Sequence, residues 1–264
     1  MNWPLSAFAD EIDADLDVQF SNLKQNGIKL VDMRSAYGKN VMALTDDEAQ
    51  SYKVKAAEYG ITVNCVGSPV NKVVMADALA TDELEKLERA IEIANIVGTN
   101  RIRIFTPQGD GFEGVCAWME PQIEMAVQHN IVLMHENDAK YYGAYPEQAK
   151  MLLAKFTSPN FRFAFDFANT VQIGFLAMED WFPWVLPHLE TIHIKDARAD
   201  KKVVPAGEGV GQVPETLAWL KAQGWNGVLS IEPHLQFAGD RGGFSGIESF
   251  QIATDAIKGI LEKL

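Results

Sequence analysis

The feature that constrains this chain most is an alternation: short runs rich in β-branched and aromatic residues take turns with longer segments of helical period from one end to the other. The runs are Leu5 to Ala9, Lys29 to Met33, Ile61 to Val66, Arg101 to Phe105, Ile131 to His135, Phe161 to Phe165, Glu190 to Ile194 and Val228 to Glu232. The helical segments lie around residues 15–26, 45–59, 81–98, 114–129, 146–156, 178–188, 213–223 and 247–263. Parallel strands need a long crossover, which a helix supplies, so repeated β/α units build a parallel sheet covered by helices. Eight units in 264 residues match a closed (β/α)8 barrel, which typically takes about 250 residues. The expectation is an α/β fold, a TIM barrel formed by residues 1–264 as one domain, because no Pro/Ser-rich linker or shift in composition divides the chain.

Local chemistry marks the unit boundaries. Thr45, Thr81 and Ser249 stand where an N-cap or first-turn residue belongs, and Gly27, Gly60, Gly98 and Gly224 fall just past helix ends, where a left-handed cap is needed. Two Gly-rich stretches, Pro205 to Gly211 and Gly239 to Gly246, follow the seventh and eighth runs and are expected to be loops facing a substrate. Neither has the strand-to-helix setting and glycine spacing of a dinucleotide fingerprint.

Charge and cysteine usage exclude several classes. With 23 Lys and Arg against 36 Asp and Glu the net charge is −13, which repels phosphate backbones and anionic membranes, so neither nucleic acid nor a membrane is an expected partner. Cys65 and Cys116 are too few for a disulfide framework, and Met1-Asn2-Trp3-Pro4 lacks the basic and apolar regions of a secretion signal; the expected location is a reducing cytoplasm. Uncharged runs such as Phe167 to Met178 are broken by polar residues and fall short of the roughly 18 apolar residues that a membrane span needs.

Chemistry in a barrel gathers at the C-terminal strand ends. The last four runs close there with Glu136, Asp166, His193 and Glu232. Side chains alternate along a strand, and two residues back from Asp166, His193 and Glu232 stand the small Ala164, Thr191 and Ser230, suited to a narrow interior. The bulky Phe165, Ile192, Ile194 and Ile231 between them would face the helices, and His135 would point outward. A single such carboxylate reads equally well as a solvated strand end or a salt bridge. Three carboxylates and an imidazole converging on one mouth form an uncompensated anionic cluster unless a cation joins them, and one divalent metal ion is the simplest answer. Oxygen-rich ligation with one His favours Mn²⁺ or Mg²⁺, with Co²⁺ or Zn²⁺ also compatible.

These residues, with Glu136-Asn137, Asp166-Phe167-Ala168-Asn169, His193-Ile194-Lys195-Asp196 and Glu232-Pro233-His234, make the sequence resemble the xylose isomerase-like TIM barrels, the superfamily of sugar phosphate isomerases and epimerases. The resemblance implies that the four bind one divalent metal and that Glu136 and Glu232 act as the catalytic acid/base pair. One departure stands out: epimerases of that family often carry a His three residues beyond the metal-binding Asp, where this chain has Asn169.

The expected chemistry is proton transfer next to a carbonyl, through an enediolate stabilised by the metal, with the proton donor's acid form favoured by burial or charge crowding. Candidate substrate-binding residues are Arg198, Lys195, His234, Glu208, Arg34 and Asn169. Arg34 reads either as a contact to a substrate anion or as the partner of a rim carboxylate. Arg241-Gly242-Gly243 offers a candidate phosphate contact, or an ordinary loop. Asp10-Glu11 reads as the cap of the first helix, and Trp181, Phe182 and Trp184 as helix packing or a subunit contact.

The leading function is isomerase or epimerase of a sugar, sugar phosphate or related hydroxy-carbonyl compound. The alternative is a dehydratase of an inosose or keto acid. An AP endonuclease, which resembles the chain in fold but uses a His-rich multi-zinc site, is disfavoured by five His and the acidic charge, and a non-catalytic sugar-binding barrel by the intact ligand set. The expected partner is a small sugar-like molecule; self-association into a homo-oligomer is compatible with the sequence.

Overall fold

Runs that are apolar on both faces become parallel strands, because only burial under helices on one side and a packed interior on the other satisfies them. In the computed structural model, which describes residues 3–109, 111–235 and 246–264, the eight runs form β1 (Leu5–Ala7), β2 (Leu30–Met33), β3 (Thr62–Gly67), β4 (Arg101–Ile104), β5 (Val132–Glu136), β6 (Phe161–Asp166), β7 (Leu189–Ile194) and β8 (Val228–Ile231). All pairings between them are parallel, in the order β1-β8-β7-β6-β5-β4-β3-β2. β1 and β2 lie against each other and bring the two sheet ends together into a nearly closed TIM barrel.

The outer ring holds α1 (Leu16–Gln25), α2 (Asp46–Glu58), α3 (Ala80–Val97), α4 (Phe112–Gln128), α5 (Pro146–Lys155), α6 (Phe167–Gln172), α7 (Phe182–Val185), α8 (Val213–Ala222) and α9 (Gly246–Leu261). Thr45 caps α2 in a reciprocal box with Glu48, and Gly27, Gly60, Gly98 and Gly224 all take the left-handed conformation. Thr81 and Ser249 fall in the first turns of α3 and α9. Among the described residues no helix is long and apolar enough to cross a membrane.

One segment departs from expectation. The helical period over 178–188 is realised as a π-turn, Ala177–Trp181, then the four-residue α7, then a 3₁₀ turn, Leu186–His188. Pro183 is tolerated at the start of α7, but Pro187 has no amide proton to continue it. The aromatic residues here pack inward: Trp181 stacks on Phe163 at 5.3 Å, and Phe182 meets Phe165 edge-on at 5.0 Å.

Register positions the site. Ser6 pairs with Ser230, Ser230 with His193, and His193 with Asp166, so one level crosses three adjoining pairs. Inside the barrel the buried Asp32 carboxylate accepts hydrogen bonds from Asn64 Nδ2 at 2.7 Å, Ser6 Oγ at 3.0 Å and Ser230 Oγ. Cys65, Met134 and Ala164 pack together nearby. Phe165, Ile192, Ile194 and Ile231 join the core under the helices, as alternation requires. His135 also points outward, against Phe161 and Phe163.

Candidate active site

Glu136, Asp166, His193 and Glu232, at or just past the ends of β5 to β8, are all buried, and each offers a ligand atom within 4.8 Å of every other. His193 Nδ1 lies between them, 3.2 Å from Glu136 Oε1, 3.5 Å from Glu232 Oε2 and 4.0 Å from Asp166 Oδ2. Lys195 Nζ joins from the same strand end, 2.9 Å from both Asp166 Oδ2 and Glu232 Oε2.

The first half of the barrel supplies a second ring of groups. Arg34, just past β2, reaches Asp10 Oδ2 at 2.9 Å, Glu232 Oε1 at 3.0 Å and Glu11 Oε1 at 3.3 Å. Arg103, within β4, places Nη1 3.4 Å from Glu136 Oε2. Each glutamate thus turns one oxygen to His193 and the other to an arginine. Beneath them the buried Phe8 ring meets His193 edge-on at 5.2 Å, with the Arg34 and Arg103 guanidinium carbons 5.0 and 5.8 Å from its centroid. The expectation of an uncompensated anionic cluster is therefore corrected: Arg34, Arg103 and Lys195 already offset part of its charge.

Protonation follows from this arrangement. Burial works to raise Glu136, but the charges of His193 and Arg103 outweigh it and hold the carboxyl down to about 2. Burial is likewise outweighed at Glu232, which Lys195 and His234 hold well below the usual range. Burial pushes Asp166 up to about 6 against Lys195. Burial also opposes charge on His193, yet Glu136 and Glu232 push its pKa up to about 10. The expectation that burial or crowding favours the acid form of a glutamate does not hold here: neighbouring cations outweigh burial and lower both Glu136 and Glu232, while His193 and Lys195 are raised.

The donor set fits a divalent cation. Among the described residues His193 Nδ1 is buried in the cluster without a hydrogen bond of adequate geometry, and Asp166 Oδ2 meets only the Lys195 ammonium, a situation that a coordinated ion relieves. Three carboxylates with one imidazole suit a hard or borderline divalent ion.

Of the other sequence candidates, Asn169 donates from its backbone N to Asp166 Oδ1 at 2.8 Å and from Nδ2 to Glu136 Oε1 at 3.3 Å. His234 Nδ1 lies 3.1 Å from Glu11 Oε1 and 3.7 Å from Glu232 Oε1. Arg34, Lys195, Asn169 and His234 line one pocket of about 230 Å³ with both glutamates. Arg198 and Glu208 are exposed and outside it. Arg198 lies in the turn joining Asp196–Ala197 to Val203–Val204. Glu208 sits in the Gly-rich loop that wraps the Asp196 carboxylate through the N–H groups of Gly207, Gly209 and Gly211. Arg241-Gly242-Gly243, with most of its Gly-rich stretch, lies outside the described residues. A roomier groove of about 590 Å³ runs past Asp17 and Lys55 on the barrel's outside, lined among the described residues by the solvent-accessible Asp17–Lys55 pair rather than by converging buried charges.

Sequence reasoning missed Phe8, Asp10, Glu11, Lys72 and Arg103. Asp10 and Glu11 do not cap α1; Asp15 does, accepting from Asp17 N and Val18 N. Both are buried and bound to Arg34, and their place just past β1 is the signal that could have found them.

The xylose isomerase-like TIM barrel family model matches residues 20–248. No curated protein matches the chain. Among solved structures, a D-tagatose 3-epimerase-like protein superposes with a TM-score of 0.79 at 16% identity, covering 98% of this chain and 97% of that one. The probable 3-DHS dehydratase AsbF of Bacillus anthracis gives 0.75 at 16%, with 99% of each chain covered. A xylose isomerase-like TIM barrel protein from Mycobacterium smegmatis in complex with magnesium gives 0.70 at 15%, with 98% of each covered. Eight parallel strands, the ligand-rich mouth and a model match over most of the length agree: the chain belongs to the xylose isomerase-like TIM barrel family.

Proposed function

We propose that this chain is an isomerase or epimerase of a sugar, a sugar phosphate or a related hydroxy-carbonyl compound, working with a divalent cation held by Glu136, Asp166, His193 and Glu232. The observation that carries this reading is the pair Glu136 and Glu232: both buried, both turned toward His193 Nδ1, and each with an arginine at its other oxygen. Bound in that cluster, the cation supplies polarisation of a carbonyl and offsets charge developing beside it.

Each glutamate starts as a base, so either can take a proton from a carbon next to the carbonyl, and the acid so formed can return it. Return to the neighbouring carbon gives an isomer; an epimer requires Glu136 to take the proton and Glu232, protonated by Lys195 Nζ at 2.9 Å, to deliver one to the opposite face of the same carbon. Arg34 and Arg103 fix the carboxylate planes, and Asn169 Nδ2 donates to Glu136 Oε1. Lys195 Nζ, 2.9 Å from Glu232 Oε2, can share a proton with that glutamate.

Lys195 also supports a second reading. A buried ammonium beside Glu232 can deliver a proton to a departing hydroxyl, which would make the enzyme a dehydratase of an inosose or keto-acid type. The proposed partner in either case is a small molecule, not nucleic acid or a membrane, in keeping with the net charge of −13. The free, buried Cys65 and Cys116 support a reducing, cytoplasmic setting.

The test is turnover in D₂O. The chain, supplied with Mn²⁺ or Mg²⁺, is incubated with ketoses, aldoses and hydroxy-ketoacids, and products are resolved by mass. Deuterium in a product of otherwise unchanged mass supports the isomerase or epimerase. Loss of one water moves the assignment to dehydratase, and absence of both contradicts the catalytic reading.

A further inference from the structure

Arg34 and Arg103 both reach into the mouth, but only one has its donors engaged. Arg34 is bound by three carboxylates. Arg103 is more deeply buried, yet its Nε has no hydrogen-bond partner among the described residues, and its ion pair with Glu136 spans 3.4 Å. A charge removed from water is stable only when paired and hydrogen-bonded, and an arginine's charge is permanent. The Phe105 ring, 4.4 Å from the guanidinium carbon, and the Phe8 ring at 5.8 Å stabilise that charge without using any N–H. Gly67 keeps the space open: a Cβ there would stand 3.0 Å from Phe8 Cε1 and 3.5 Å from Arg103 Nη2.

Lys72, in the loop after β3, lines the same pocket and holds Nζ 4.5 Å from the same Phe105 centroid. Its carboxylate partner, Asp138 at 3.2 Å, lies at the pocket wall. Two cations therefore share one aromatic ring and one cavity, and the inner one has donors to spare. The forked guanidinium is suited to two-point recognition of a carboxylate or phosphate.

We propose that Arg103, assisted by Lys72, forms a subsite for an anionic group of the substrate, so that the enzyme takes a hydroxy acid or a phosphorylated sugar in preference to a neutral sugar. This rests on reading the adjoining cluster as catalytic and narrows its substrate class.

The test is calorimetric titration of the full chain, with saturating Mg²⁺, using inorganic phosphate and separately glycolate. Wild type is compared with Arg103→Met, which keeps an apolar stem against Phe105, with Arg103→Lys, and with the exposed Lys72→Met. At least one anion is expected to bind wild type; Arg103→Met weakens it roughly 10- to 100-fold, Lys72→Met about threefold, and Arg103→Lys falls between wild type and Arg103→Met. Circular dichroism is expected to match wild type in all three, and metal content in Lys72→Met; because Arg103 lies against Glu136, its variants are compared with wild type at equal metal occupancy. Preference for phosphate points to a phosphorylated sugar, and preference for glycolate to a hydroxy acid. Binding of neither anion, or equal binding by Arg103→Met, overturns the subsite, as does equal turnover of a neutral ketose and its phosphate or acid counterpart. Failure of the catalytic reading looks different: no deuterium enters any product, while Arg103-dependent anion binding persists.

Discussion

The two halves of the barrel mouth do different work. Strands β5 to β8 lead into Glu136, Asp166, His193 and Glu232, three carboxylates and an imidazole. Strands β1 to β4 lead into Phe8, Arg34 and Arg103, an aromatic floor and two guanidinium groups. Most of the charge that keeps the anionic half ionised against burial comes from within it: His193, ahead of Arg103, holds Glu136 down to about 2, and Lys195 and His234 hold Glu232 low. Asp32, deeper in the barrel, sharpens the contrast. Its carboxylate is satisfied by Ser6, Ser230 and Asn64, with no ion pair among the described residues, a structural solution rather than a reactive one. The acidic residues at the mouth differ in being accompanied by cations and by an imidazole nitrogen, His193 Nδ1, without a hydrogen bond among the described residues.

The largest expected effect breaks the anionic half directly. Glu136→Gln and Glu232→Gln are expected to lower kcat by about 10²- to 10⁴-fold, read by steady-state kinetics on whichever substrate shows deuterium uptake. Phe8→Ala attacks the joint between the halves, removing the ring that contacts His193, Arg34 and Arg103 at once. It should cost about 3–5 kcal/mol of stability, measured by denaturant unfolding, whereas Phe8→Leu should retain more than half of that.

Metal affinity should rise with pH. His193, pushed up to about 10 against burial by Glu136 and Glu232, carries a proton at neutral pH that an incoming cation must displace. Apparent affinity is expected to increase about tenfold per pH unit from 6.5 to 8.5, with one proton released per ion in calorimetry across buffers of differing ionisation enthalpy. Outside the cluster, burial pushes His135 down to about 3. The unfolded chain binds that proton near pH 6.5 and the folded chain does not, so the contribution is complete above about 6.5 and is lost as pH falls toward 3, by up to about 1.4 kcal/mol per unit. His135→Leu should flatten that part of the stability profile. The smallest effects are expected at Arg198→Ala and Glu208→Ala, exposed and outside the pocket, with stability within about 0.5 kcal/mol of wild type and turnover unchanged.

The same asymmetry explains what could be read from the sequence. In β6 to β8 the polar residues stand at or just past the ends of apolar runs, with small residues two positions back, so strand alternation alone assembles Asp166, His193 and Glu232. Arg103 is hidden because it lies inside its run, between Ile102 and Ile104, where it passes for an edge charge. Asp10 and Glu11 precede a helix and imitate caps; only the tertiary approach of Arg34 separates them from Asp15. The irregular Ala177–His188 segment kept a helical period while Pro187 removed the amide needed to realise it. Arg198 and Glu208 were close in sequence to His193 and the Gly-rich loop, but the Asp196 tether turns glycine N–H groups inward and leaves both side chains in solvent.

Lys195 gives the central claim its sharpest alternative, because its Nζ contacts Asp166 Oδ2 and Glu232 Oε2 and could be the cluster's resident cation by itself. The direct measurement is metal stoichiometry of the purified chain after equilibration with Mn²⁺ and removal of free ion, beside Asp166→Asn and Glu136→Gln. About one ion per chain in wild type, with loss in both variants, is the expected result. A wild-type chain that retains no more Mn²⁺ than the variants would contradict it and leave Lys195 as the counter-charge of a metal-free site.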